Sequence, residues 1–147
     1  MRAPAIALLV AACGGRPVTT PTPAFTVQVL EADSIAHAMV QRAFDADAQL
    51  ANPDSLYLPE AEIIVNGAPR ADAPRFAGVA AGGSVQLGSS RFAVTGNYVW
   101  GTIQYRWVPG EVGKRMIDGW ATLVIARLKD GGWRIVHAHS STAPENQ

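Results

Sequence analysis

The chain has 147 residues, 48 % of them hydrophobic and 16 % charged, and its Lys and Arg balance its Asp and Glu to a net charge of zero. That length suits one packed core rather than two domains. The charge balance leaves no basic surplus for nucleic acid, no apolar run reaches the roughly eighteen residues of a membrane span, and a sole cysteine, Cys13, excludes an internal disulfide.

At the start, Arg2 precedes an apolar stretch, Ile6 to Ala12, too short to cross a membrane and suited to the core of a secretory signal. Val10-Ala11-Ala12-Cys13 resembles the lipobox of bacterial lipoproteins. The resemblance implies a signal peptide over residues 1–12, lipidation of Cys13, and a mature protein at the cell envelope whose membrane contact is the lipid anchor alone. Gly14 to Pro23 holds three prolines among small and polar residues, the composition of a tether. A lipidation site and flexible linker are therefore expected over 13–31 and a folded domain over 32–143.

Between Asp33 and Leu50, residues Ala36, Met39, Val40, Ala43, Phe44 and Leu50 recur at helical spacing. An amphipathic helix is predicted here, capped by Asp33 or Ser34 and stopped by Asn52-Pro53. Tyr57 to Asn66 reads as a strand ending in an Asn66-Gly67 turn. Ala71 to Ala81 reads as a short helix interrupted by Gly78. Four antiparallel strands follow: Val85 to Thr95, Tyr98 to Val108, Met116 to Leu128 and Trp133 to Ser141, with glycine-containing turns between them. Helices first and strands afterwards indicate an α+β domain with helices on one face of a curved antiparallel sheet.

That element order resembles the nuclear transport factor 2-like, or SnoaL-like, superfamily, over about Ala32 to Ser141. Tyr57-Leu58-Pro59-Glu60-Ala61-Glu62-Ile63-Ile64-Val65-Asn66-Gly67 looks like its first strand. Asp130 through Ser141 looks like its last hairpin. The resemblance implies a cystatin-like cone, a helix-capped concave sheet around a pocket, and pairing of two copies through the sheet. Some members are enzymes and others bind or scaffold, so the fold alone assigns no reaction. The pocket aspartate, tyrosine and second acid of ketosteroid isomerase-type members map onto no motif of this chain.

His137 and His139 alternate on one strand, with Cα atoms roughly 6.6 Å apart, and by simple alternation share a face with Trp133, Ile135 and Ser141. If that face is concave, the two histidines are the candidate catalytic bases. Tyr57, Trp100, Trp120, His137, His139 and Ser141 are then candidate ligand-binding residues for a small apolar molecule. A strand-end histidine serves as readily to hold the fold closed. A third metal ligand is lacking, because His37 lies on the helix beside its apolar stripe and nothing singles out Glu62 or Asp118; no metal or cofactor is expected. Asp45 and Asp47 are expected on the solvated side of the helix, with Asp47 at the edge of the stripe. Parity separates Tyr98 and Trp100 from Tyr105 and Trp107 unless a bulge intervenes at Gly101. The reading of the residues favours non-catalytic binding of a small molecule or partner by a homodimer; the alternative is a small cyclase, isomerase or hydrolase with a pocket histidine as base.

Overall fold

A computed structural model describes residues 23–52 and 54–144, with side chains from residue 31 onward. The signal peptide expected at 1–12 and the lipidation site Cys13 lie outside the described residues. Helix α1 spans Pro23–Ala48, and a short 3-10 turn, Asp54–Leu56, leads into the sheet. Six strands follow: β1 (Tyr57–Val65), β2 (Ala68–Pro69), β3 (Gly83–Thr95), β4 (Tyr98–Pro109), β5 (Ile117–Arg127) and β6 (Trp133–Thr142). They form one sheet in the order β2-β1-β6-β5-β4-β3. The four-strand meander is as the turn residues predict. The sheet is nevertheless mixed rather than antiparallel throughout, because β1 runs parallel to β6.

Helix α1 begins earlier than the sequence suggests, so residues 23–31, read as linker, are helical and Asp33 and Ser34 lie inside the helix. A proline at the first helical position forfeits only an amide that has no partner there. Ala32, Ala36, Met39, Val40, Ala43 and Phe44 form its buried stripe, which lies chiefly against β3. The helix ends before Asn52-Pro53. The Ala51 amide donates to Ala46 O at 2.8 Å and the Leu50 amide to Asp47 O at 3.1 Å. Leu50 takes φ 49°, the left-handed position of a Schellman cap, which glycine usually fills. Its side chain is exposed, outside the core.

Asn66 and Gly67 both have positive φ and turn β1 into β2, as a two-residue hairpin requires. The helix expected at 71–81 does not form; the segment is an irregular loop. Side chains of the helix and sheet take up its backbone groups instead. Asp47 accepts from the amides of Arg75 and Phe76, Ser140 Oγ accepts from the Ala77 amide at 2.9 Å, Tyr105 Oη donates to Ala77 O at 2.6 Å, and Trp107 Nε1 donates to Ala80 O at 3.0 Å. Buried backbone groups need partners, and here the fold supplies them from outside the segment. This loop carries Phe76 into the core. Phe76 stacks on Phe44 at 3.9 Å between ring centroids, and Phe44 meets Tyr105 at 4.7 Å. Those three rings occupy the space between helix and sheet.

Candidate functional site

The two faces of the sheet can be followed strand by strand. Val99, Ile103, Tyr105 and Trp107 of β4 and Gly119, Ala121, Leu123 and Ile125 of β5 are buried on the inner face. Tyr98, Trp100 and Trp120 alternate with them and are exposed by 53 %, 45 % and 49 %. β4 pairs with β5 without interruption through Gly101, so no bulge reunites the two aromatic sets. The parity reading therefore holds.

β6 departs from simple alternation. Ile135 pairs with Ile125 but His137 pairs with Val124, leaving Val136 as an extra residue. A bulge of this kind re-aims every side chain beyond it. Trp133 and Ile135 remain on the inner face with the core, whereas Ala138 and Ser140 take the inward positions after the bulge. His137, His139 and Ser141 are turned to the outer face, in register with Val124, Thr122 and Trp120. The expectation that they share a face with Trp133 and Ile135 is corrected by that one residue.

Among the residues singled out from sequence, the structure thus brings Trp100, Trp120, His137, His139 and Ser141 together on the outer face and leaves Tyr57 alone on the inner one. His137 Nδ1 lies 3.3 Å from Glu62 Oε2, with the Glu62 side chain 70 % exposed. Such an open pair is worth little in energy. His37 is far along the chain on α1, where its partners are Phe92, at 4.5 Å between rings, and Asp33. Asp118 is held by Arg106 at 2.6 Å. Among the described residues no group of three or more His, Cys, Asp or Glu side chains is placed to hold a metal ion.

The acid drawn into the interior is Asp47, which is fully buried, not solvated as its residue type suggests. Burial pushes its pKa up to about 6, against the pull of the Arg75 and Phe76 amides. Its spacing after Val40, Ala43 and Phe44 on the stripe is the sequence signal for this placement. Tyr57, the first residue of β1, is also buried, and burial drives its pKa well above that of an ordinary phenol. Its hydroxyl, Asp47 Oδ1 and Arg75 Nη1 are buried without hydrogen-bond partners. Buried polar atoms are nearly always paired, so three orphans around one place call for an explanation. Arg75 sits with its guanidinium carbon 4.8 Å above the Tyr57 ring. No pattern in the sequence joins Arg75, on an irregular loop, to Tyr57 on a strand.

The architecture is the cystatin-like, nuclear transport factor 2-like fold, an α+β cone with one helix on a curved, unclosed sheet. The chain is similar to a protein of unknown function with a cystatin-like fold from Nostoc punctiforme, at a TM-score of 0.62 and 10 % identity over 75 % of this chain and 90 % of that one. It is similar to a nuclear transport factor 2-like protein of unknown function from Pseudomonas putida, at 0.60 and 17 % identity over 80 % and 91 % of the two chains. A candidate ketosteroid isomerase from Parabacteroides distasonis matches at 0.57 and 13 % identity, over 76 % and 88 %. No protein-family model and no curated protein matches the sequence.

Proposed function

We propose that this chain is a non-catalytic binding domain of the cell envelope whose outer sheet face pairs with a second copy. The observation that carries the reading is the grouping of Tyr98, Trp100 and Trp120, each about half exposed, on one sheet face. Large aromatic side chains exposed on one sheet face, Trp120 lying beyond the Thr102–Thr122 row from Trp100, mark an interaction surface. Charge supports a second copy as the occupant. In the sheet, Glu62 lies on β1 beside His137 and Arg91 lies on β3 opposite Thr102. A two-fold axis parallel to the strands lays the β1 edge of one copy over the partner's β3 edge, so Glu62 approaches the partner's Arg91 twice. Isologous interfaces are built from such self-complementary patches.

The enzymatic alternative needed a pocket histidine. His137 and His139 face outward, and on the inner side of the sheet the rings of Phe44, Phe76 and Tyr105 pack against one another. Val10-Ala11-Ala12-Cys13 supports delivery to the envelope through a lipid on Cys13. The pairing is tested by charge exchange. Glu62→Arg and Arg91→Glu alone each weaken association in sedimentation equilibrium, and the double exchange restores it. Equal association in all four proteins would overturn the pairing.

A further inference from the structure

After the bulge at Val136, β6 turns His137 and His139 to the same outer side of the sheet, in register with Val124 and Thr122. Two steps of extended chain separate their Cα atoms by roughly 6.6 Å. Two imidazole nitrogens bound to one zinc-class ion at about 2.1 Å each stand about 3.4 Å apart, a gap that neighbouring side chains on one strand face close by rotation about χ1 and χ2. The His137 side chain is 31 % exposed and His139 is exposed. Among the described residues His139 has no hydrogen-bond or ion-pair partner, so its ring is not committed to holding the fold.

The sequence singles out no carboxylate for this pair; the sheet does. β1 runs parallel beside β6 with Glu62 in register with His137, and Glu62 Oε2 lies 3.3 Å from His137 Nδ1. A carboxylate at Nδ1 favours the tautomer that carries the proton there and leaves the Nε2 lone pair free, the arrangement in which metal-ligating histidines are ordinarily held. It also sets a negative charge beside the place a cation would take. The strand neighbours of His139 are Ile64 and Thr122, and neither is cationic.

We propose that His137 and His139 chelate one divalent transition-metal ion of the zinc or copper class on the outer face of β6, His137 through Nε2, with Glu62 orienting His137 from its Nδ1 side rather than ligating. Water fills the other positions. Two protein nitrogens make an open, exchangeable site, unlike the closed four-ligand sites that hold structural zinc. Imidazole suits zinc, copper and nickel, whereas magnesium and calcium take oxygen ligands. The inference goes beyond the non-catalytic reading and does not rest on pairing, although the ion would sit on the face assigned to it.

Isothermal titration calorimetry with zinc chloride tests this on the full chain carrying Cys13→Ala, which removes the lone thiol as a competing ligand. One equivalent of zinc binds, and magnesium finds no site. His137→Ala and His139→Gln, both on the outer face, each weaken zinc at least tenfold while the circular dichroism spectrum is unchanged. His37→Ala, at the third histidine of the chain, leaves the affinity as it was. Glu62→Gln weakens zinc about tenfold with the stoichiometry kept. With copper(II) in place of zinc, the electron paramagnetic resonance spectrum shows coupling to two nitrogens and loses one of them in either histidine variant. Absence of a saturable zinc site, magnesium binding as tightly as zinc, or unchanged zinc affinity in His137→Ala or His139→Gln would each overturn the inference. Arg91→Glu keeps its failure distinct from that of the pairing: Arg91 lies three strands from His139 in the same row, so weakened association with zinc binding retained bears on the pairing face and supports a site independent of it.

Discussion

Asp47→Asn isolates the electrostatic consequence of placing an acid between helix and loop. Raising the folded-state pKa from 3.8 to about 6 means that, between about pH 4 and pH 6, the folded chain holds a proton that the unfolded chain has released. Stability contributed by that proton is complete below the unfolded pKa and is lost as pH rises through the folded one. At about 1.36 kcal/mol per pH unit, the full excursion is about 3 kcal/mol. Asparagine keeps an oxygen for the Arg75 and Phe76 amides but does not titrate. Asp54, through its hydrogen bond from Asn52, and Asp118, through that from Arg106, have lowered pKa values; their stabilisation disappears at lower pH and is common to both proteins, so it cancels in the difference. Urea unfolding followed by tryptophan fluorescence at about pH 4.5, 5.5 and 7.5 reads that difference. The stability of the parent relative to Asp47→Asn should fall by about 2 kcal/mol over this range, since part of the full excursion lies below pH 4.5. A constant gap, or one that moves the other way, refutes the buried-acid argument.

Leu50→Gly should raise stability by about 0.5–1 kcal/mol in thermal unfolding, because the residue holds a left-handed conformation at the Schellman cap with its side chain exposed. Gly119→Ala should cost about 1–3 kcal/mol, since an added Cβ comes within 2.3 Å of the Tyr105 ring; the variant's urea midpoint checks it. Phe44→Ala should cost about 3–5 kcal/mol by removing the ring between Phe76 and Tyr105, read by the same assay. Cys13→Ala should move the protein from the membrane to the soluble fraction of cells making it, with loss of fatty-acid labelling.

Regular elements with strong periodicity were legible from sequence. The stripe Ala36, Met39, Val40, Ala43 and Phe44 marks the buried face of α1, and the turn residues mark the meander. Three features escaped because each depends on contacts distant in sequence. The segment 71–81 has enough apolar residues for a helix, but Asp47, Tyr105, Trp107 and Ser140 satisfy its backbone in another shape. The Val136 bulge turns His137, His139 and Ser141 outward, and alternation along a strand carries no warning of one extra residue. Arg75 and Tyr57 meet through a loop whose path no local pattern states. The sequence left open which sheet face lines a pocket; Trp100, Trp120, His137, His139 and Ser141 share the face turned away from the core.

Sedimentation equilibrium of the full chain and of Trp120→Glu tests the pairing face most directly. Trp120 is exposed on the outer face, so a charge there should leave the fold intact by circular dichroism. The expected result is a dimer for the parent at tens of micromolar and a folded monomer for the variant. A monomeric parent, or a variant that remains dimeric, would contradict the account.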